Sequence, residues 1–138
     1  MNSLVPNAIK LHKKSRTLEV VFGEQHIQLS AEYLRVFSPS AEVKGHGPGE
    51  EVLQSGKINV GINHIESAGN YAIKILFDDG HDSGIFSWDY LYQLGTNFEQ
   101  NWEDYLRRLS AAGQARDPNT SVVKLIDPST NRSNPKSS

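Results

Sequence analysis

A short alternating stretch constrains the fold of this chain more than any other sequence feature. From Tyr71 to Phe77, every second position carries an aromatic or β-branched side chain, which predicts a β-strand with one face on a core. Residues 57–65 alternate in the same way, and Ser67-Ala68-Gly69-Asn70 separates the two runs. Because two such runs joined by a short polar turn form a hairpin, we predict an antiparallel sheet here.

Three further runs near the start of the chain predict strands. They cover Ala8–His12, Thr17–Phe22 and residues 26–29, and Gly23-Glu24-Gln25 supplies a turn between the last two. Ser30 is typical of a helix N-cap, so we predict a short helix through Phe37. Residues 38–49 hold three glycines and two prolines and are expected to be irregular, a turn of helix is expected over 50–54, and residues 84–86 add a last short strand.

The second half of the chain predicts two helices. Ser87 caps the first, which is expected to end at Gly95. Thr96-Asn97-Phe98-Glu99 matches a capping box and starts the second helix, 97–112, which Gly113 stops. An apolar stripe on this helix is expected to pack on the sheet; it consists of Phe98, Trp102, Tyr105 and Leu109.

These elements predict an α+β fold, a small and largely antiparallel β-sheet with helices packed on one face. The length of 138 residues fits one domain, which we place at 1–113. Residues 114–138 are expected to form a flexible, disordered tail, apart from an apolar run at 122–126 that is expected to pair as an edge strand or dock on a partner.

The absence of cysteine excludes disulfides, thiolate metal sites and cysteine nucleophiles. The formal net charge is -2 and no basic stripe is present, so we expect no nucleic-acid partner. The first residues lack the apolar segment of a signal peptide, and no run of about 18 apolar residues exists to cross a membrane. We therefore expect a cytoplasmic protein without a membrane partner.

Three segments together resemble a known family. They are IKLHKKSRTLEVVF, LRVFSPSAEVKGHGPG and GKINVGINHIESAGNYAIKILFDDGHDSGIFSWDYLY. They resemble the bacterial DUF971 family, stand-alone relatives of the N-terminal domain of γ-butyrobetaine hydroxylase, and the resemblance covers residues 6–95. It implies a fold similar to that domain. It also implies a link to iron–sulfur cluster carrier or assembly systems, because similar domains are fused to P-loop ATPases of the iron–sulfur carrier type.

The resemblance also indicates where the chain departs from its relatives. In the hydroxylases this domain holds a structural zinc through three cysteines and one histidine. The matching positions here are Ser38, Ser40, Val43 and His81. Because serine is a poor zinc ligand and valine is none, no metal is expected at this family site, and no cofactor is expected overall. The iron-dependent catalytic domain of the hydroxylases is also absent, so we transfer no hydroxylase activity.

Two histidines are the candidate ligand-binding residues. His81 lies among Asp78, Asp79 and Asp82, which indicates either a cation site or an ordinary turn with solvated carboxylates. His46 lies in Gly45-His46-Gly47-Pro48-Gly49, a loop that lets backbone approach a ligand or simply makes tight turns. The family fold brings the two loops together, so a weak zinc or iron site at His46 and His81, completed by Asp82 or Glu42, remains an alternative.

An aromatic run and an arginine complete the candidate interaction surface. Trp88 is expected in the core, whereas Tyr90 and Tyr92 are the better interface candidates, since tyrosine buries a large area with few rotors to freeze. Arg35 is expected to pair with a carboxylate of the 78–82 turn or with a partner's anion. His12, His26 and His64 lie on predicted strands as packed or surface residues.

Three functional hypotheses remain. The first is a non-catalytic protein-interaction domain that uses the 38–49 loop and residues 79–92, with an iron–sulfur carrier ATPase as a possible partner. The second is a weak metal-binding domain that uses His46 and His81. The third is an enzyme for a small anionic metabolite, and it ranks last because no nucleophile–base pair is recognisable and no serine lies in a Gly-x-Ser-x-Gly elbow.

Overall fold

The structure is a computed structural model and describes residues 4–120. The described chain contains two groups of three strands with helices between and after them. The strands are β1 Ala8–His12, β2 Thr17–Phe22, β3 Gln25–Ser30, β4 Ile62–Ser67, β5 Ala72–Phe77 and β6 Gly84–Ser87; the helices are α1 Ala31–Val36, α2 Ala41–Lys44, α3 Trp88–Thr96 and α4 Phe98–Ala112. No helix among these residues is long and apolar enough to cross a membrane.

The strands form two separate three-stranded antiparallel sheets. The first has the order β1-β2-β3, and the second has the order β4-β5-β6. In the second sheet Ile75 pairs with Ile65 on one side and Gly84 on the other, and the register of β4 shifts between Ile62 and His64. The predicted α+β class with antiparallel strands is confirmed, and the strands are divided between two sheets.

Both sheets contribute to one core. The alternating residues Leu18 and Val20 of β2 are fully buried and share a cluster with Ile75 and Phe77 of β5. Tyr33 and Leu34 of α1 and Leu91 and Leu94 of α3 close the same cluster. Because the period-2 pattern of β2 and β5 places these side chains on one face, the sheets and helices bury a continuous apolar interior.

The predicted helix caps at two serines are confirmed. The hydroxyl of Ser30 accepts a hydrogen bond from the backbone N–H of Tyr33, and that of Ser87 accepts one from Tyr90. Each bond satisfies a donor that the first turn of a helix leaves without an internal partner. Gly113 adopts the left-handed conformation that ends α4, as the sequence predicts.

Three predictions for residues 38–65 were wrong. A short helix, α2, lies inside the stretch expected to be irregular, and no helical turn forms over 50–54. The predicted strand 57–65 begins only at Ile62. The backbone N–H of Gly61 bonds to the carboxylate of Asp78, and that of Ile58 bonds to the carbonyl of Arg116. These long-range partners take the donors that a strand ladder would have used.

The predicted boundary between the last two helices was also wrong. Helix α3 runs through Gly95 to Thr96, and Asn97 is the N-cap of α4 without any side-chain cap bond, so the capping box does not form. A Cβ atom at Gly95 would lie 2.4 Å from Cγ2 of Ile27. The glycine is therefore required for close packing of α3 on β3 and does not mark a helix end.

The sequence predicted that helix α4 packs on the sheet, but in the structure α4 packs on α1. Tyr105 and Leu109 are buried against Val36 of α1 in a second, smaller cluster, with Leu53 and Trp102 at its margin. Phe98, the first residue of the predicted stripe, remains exposed. The amphipathic pattern predicted a buried face correctly, but it carries no information about which element covers that face.

The fold continues past the domain boundary predicted at Gly113. The backbone N–H of Gly56 bonds to the carbonyl of Ala115, so the chain after α4 runs beside residues 56–58. Both guanidinium donors of Arg116 reach the carboxylate of Glu32, at 2.8 and 2.7 Å, and the guanidinium lies 5.1 Å from the Trp102 ring. The apolar run 122–126 and the rest of the predicted tail lie outside the described residues.

Candidate functional site

Ser38, Ser40 and His81 form a compact group that we call the Ser–His cluster. The segment after α1 carries the two serines, and the turn after β5 carries the histidine. The Nε2 atom of His81 lies 2.9 Å from Oγ of Ser38 and 3.2 Å from Oγ of Ser40. Three of the four positions that the family resemblance placed at one metal site therefore converge here, in hydrogen-bonding contact with one another.

The environment of the Ser–His cluster indicates a structural role. Ser38 is 1% exposed, so almost none of its surface is open to a substrate, even though the separation from His81 suits a nucleophile and its base. A Cβ atom at Gly84 would lie 2.5 Å from Oγ of Ser38, so β6 closes tightly over the cluster. Burial, with added repulsion from Arg35, lowers the pKa of His81 below its usual value and keeps the ring neutral at pH 7.

A second polar group fixes the same turn from the other side. The carboxylate of Asp79 accepts hydrogen bonds from Nε of Arg35 and Nζ of Lys57, both at 2.8 Å, and from the backbone N–H of His81. Burial alone would raise the pKa of Asp79, but these donors outweigh it and lower the pKa to about 2. Arg35 also donates to the side-chain oxygen of Gln54. The predicted pairing of Arg35 with a carboxylate of the turn is thus present.

A cavity of about 720 Å³ opens beside the Ser–His cluster. Its apolar walls are Val36 and Phe37 from the end of α1, Val43 from α2, and Val52 and Leu53 from the following segment. The rest of the lining comes mainly from the loop of His46 and from one face of α4. These lining residues are Ser38, Lys44, Gly45, His46, Gly47, Pro48, Glu51, Gln54, Tyr90, Asp104, Tyr105 and Arg108. The cavity therefore joins the 38–54 segment to α3 and α4.

The two tyrosines of the cavity present their rings rather than free hydroxyls. Tyr90 donates to the carbonyl of Phe37 at 2.6 Å, and Tyr105 donates to the carbonyl of Gln54 at 2.7 Å. Burial raises the pKa of each phenol to about 12, so neither ionises at physiological pH. The ammonium of Lys44 lies 5.5 Å from the centre of the Tyr90 ring.

The charges around the cavity are unevenly compensated. Asp104 pairs with Arg107 at 2.7 Å, which neutralises that carboxylate. Three other charged residues line the cavity and form no ion pair with any residue from 4 to 120; they are Lys44, Arg108 and Glu51. The lining thus offers two cations and one carboxylate beside an apolar wall, which suits an occupant with apolar side chains and charges of both signs.

The predicted site residues separate into two places. His46 is exposed at the cavity, whereas His81 is held in the Ser–His cluster. Asp82 is exposed, and Glu42 accepts a 2.5 Å hydrogen bond from Ser83. Within residues 4–120 no group of three or more His, Asp and Glu side chains is arranged to hold a metal ion. The geometry therefore does not assemble the weak metal site that the sequence left open.

The aromatic candidates are mostly packed. Trp88 is half-buried and donates its indole N–H to the carbonyl of Asn70. Tyr92 packs edge-on against Phe22, with ring centres 5.4 Å apart. Of the three aromatic candidates, Tyr90 alone lines the cavity. The other histidines lie at the surface, and His12 and His26 both bond to Glu19.

Sequence reasoning missed the wall of the cavity that α4 provides. Asp104 and Arg108 lie on the helix face beside the buried Tyr105, and the helical periodicity would have placed them at the margin of the buried stripe. Sequence reasoning also missed Lys57, which bonds to Asp79 across 22 residues of sequence. Its neighbours predicted a strand, and nothing in that local pattern indicated a partner in the 78–82 turn.

Comparison with known families gives one match. The family described as "Gamma-butyrobetaine hydroxylase-like, N-terminal" matches residues 9–92, which include α1, the Ser–His cluster and most of the cavity-lining loop residues. Helix α4 and the residues after it, 113–118, which we call the strap, lie beyond this match. No curated protein matches the chain.

Solved structures extend the similarity beyond residue 92. One protein structure determined by NMR in solution is 58% identical, covers 91% of this chain and 99% of its own, and gives a TM-score of 0.78. A second NMR structure is 48% identical, covers 91% and 96%, and gives 0.73. A crystal structure of a DUF971 family protein of unknown function from Acidithiobacillus ferrooxidans is 33% identical, covers 65% and 91%, and gives 0.55.

Proposed function

The chain belongs to the gamma-butyrobetaine hydroxylase-like N-terminal family, and on that premise we propose that it is a non-catalytic binding domain that recognises another protein through the cavity between residues 36–54 and α4. The observation that carries this proposal is the lining of the cavity, which combines an apolar wall with charges that form no ion pair within the described chain. Pockets of this composition bind ligands or partner side chains.

The chemistry of the cavity favours binding over catalysis. Its two phenols are committed to backbone carbonyls, and Ser38 points its hydroxyl to the buried face of His81. His46 is one of the polar groups that remain at the cavity. No nucleophile among residues 4–120 lies within hydrogen-bonding distance of these groups. Nucleophilic catalysis requires a base beside the nucleophile to activate it, so a binding role fits the site better.

A protein segment fits the cavity better than a small polar metabolite. Val52 stands at the cavity with 50% of its surface exposed, although it is a large aliphatic residue. Covering it would bury apolar area that the isolated chain leaves in water. Lys44, Arg108 and Glu51 would then set the orientation of charged residues on the partner. We propose a P-loop ATPase of the iron–sulfur carrier type as that partner, because domains similar to this one are fused to such ATPases.

A calorimetric titration of the full-length chain with that ATPase from the same organism tests the proposal. Val52→Asp places a charge on the apolar wall, and burying a charge without a partner costs more than the 1.4 kcal/mol that corresponds to a tenfold change in Kd. We therefore expect at least tenfold weaker binding. Tyr71→Asp is the matched control, since Tyr71 is 66% exposed and lies outside the cavity, and we expect its affinity to match the wild type.

Each outcome has a distinct meaning. Equal affinities of the wild type and Val52→Asp would place the interface elsewhere on the chain. Equal weakening by both substitutions would show a general charge effect and not a specific surface. No heat of binding with the wild-type chain would remove the carrier ATPase as the partner.

A further inference from the structure

The end of the described chain lies close to the cavity. A Cβ atom at Gly56 would lie 3.4 Å from the Cα atom of Pro118, so the two backbones are in contact. Gln54, two residues before Gly56, lines the cavity. Since two residues span at most about 7 Å, Thr120 lies within about 20 Å of Gln54. The seven residues from 121 to 127 can span about 23 Å when extended, so the chain after Thr120 is long enough to reach the cavity.

The residues that follow have the chemistry that the cavity lacks. Positions 122–127 read Val-Val-Lys-Leu-Ile-Asp, whereas the sequence after them is polar. The four aliphatic side chains match a wall built from Val43, Val52 and Leu53. Lys124 has the sign that complements Glu51, and Asp127 has the sign that complements Lys44 and Arg108.

We infer that residues 122–127 of the same chain occupy the cavity when no partner is bound. The inference rests on the proposed function, because it assigns to the proposed binding site an internal competitor. A tethered segment acts at a local concentration in the millimolar range, so even weak intrinsic affinity keeps the cavity filled. A partner must displace the segment, so its apparent affinity equals its intrinsic affinity multiplied by the fraction of molecules in which the cavity is open.

Paramagnetic labelling tests the inference directly on the full-length chain. The chain contains no cysteine, so Ser129→Cys provides a single attachment point for a nitroxide two residues after Asp127. We expect the backbone NMR signals of Gly45, Gly47 and Val52 to lose more than half of their intensity in the labelled sample relative to the reduced one. The signal of Gly23, in the turn between β2 and β3, should keep its intensity and serves as the internal control.

A second variant separates docking from chance proximity. Ile126→Asp in the labelled chain should restore the three cavity signals, because an aspartate on the apolar wall is unfavourable, whereas Ile126→Leu should leave them quenched. Unchanged signals in the first sample, or equal quenching in Ile126→Asp, would overturn the inference. Mixing isotope-labelled chain with separately spin-labelled chain checks for docking between copies, and quenching of the cavity signals in that mixture as strong as in the labelled chain would also overturn it.

The outcome is distinguishable from that of the proposed function. If Val52→Asp weakens the ATPase at least tenfold but no cavity signal is quenched, the protein-binding role stands and only the internal competitor fails. If the segment docks but the ATPase does not bind, the competitor stands and the partner fails. Where both hold, Ile126→Asp should raise the apparent affinity for the ATPase severalfold.

Discussion

Replacing Arg116 by alanine is the sharpest test of how the segment after α4 is attached to the domain. The side chain of Glu32 is only 6% exposed, and Arg116 satisfies both of its oxygens at 2.8 and 2.7 Å. Arg116→Ala would leave a buried carboxylate without its counter-ion. Breaking a buried ion pair by removing one partner costs about 3–5 kcal/mol.

The expected loss is smaller than that range because the pair is only partly buried. The Arg116 side chain is 37% exposed, so water screens part of its attraction to Glu32. Loss of its contact with the Trp102 ring adds about 0.5–1 kcal/mol. We therefore expect the free energy of unfolding to fall by about 2–3 kcal/mol, measured by urea denaturation at pH 7 with an unchanged dependence on urea concentration.

Two further variants make the result interpretable. Arg107→Ala removes an exposed pair with Asp104 on the same region of the chain and should change stability by less than about 1 kcal/mol. The double variant Glu32→Gln with Arg116→Ala should recover part of the loss, since no buried charge then remains. If Arg116→Ala costs no more than Arg107→Ala, then Arg116 does not hold the segment on α1, and the argument for a fixed strap fails.

Three other substitutions test the packing and charge arguments. Gly84→Ala should destabilise the protein by about 1–3 kcal/mol, since the new methyl group meets Oγ of Ser38 at 2.5 Å. Gly84→Ala should cost less in a Ser38→Ala background, measured against Ser38→Ala alone, and an equal cost in thermal melts would contradict this contact. Asp79→Asn should remove part of the pH dependence of the free energy of unfolding. The pKa of Asp79 is about 2 in the folded protein and about 3.9 in the unfolded chain. The stabilisation by Asp79 is therefore complete above about pH 3.9 and is lost as the pH falls through about 2. Stability curves of wild type and Asp79→Asn should therefore converge between pH 4 and 2, and parallel curves would refute the reasoning. Gly95→Ala should destabilise α3 despite the better helix propensity of alanine, because its methyl group meets Ile27 at 2.4 Å; a higher melting temperature would show that the contact relaxes freely.

The elements with short-range signals could be predicted from the sequence. The serine caps at Ser30 and Ser87 depend on a bond to the residue three positions later, and both are present. The alternating pattern of β5 likewise depends only on neighbouring positions. The convergence of Ser38 and Ser40 with His81 was indicated by the family resemblance, because no local pattern connects residues more than 40 positions apart.

The parts that escaped prediction depend on contacts across long sequence separations. The chain from 57 to 61 gives its backbone donors to Asp78 and to the segment after α4, which overrides its alternating pattern. The cavity is built from α1, α2, α3 and α4 together, so its existence follows from packing and has no signature in any one segment. The choice of α1 as the support of α4 has the same origin.

The order of the strands has a consequence for how the chain reaches its folded state. Both sheets are meanders in which each strand pairs with its neighbour in sequence, β1-β2-β3 and β4-β5-β6. Such pairings close short loops and cost little entropy, so the strand pairings within each sheet are expected to form early. The contact between Glu32 and Arg116 closes a loop of 84 residues and is therefore expected to form late. A contact made after the folding barrier slows unfolding without speeding folding, so the strap contributes chiefly to the lifetime of the native state.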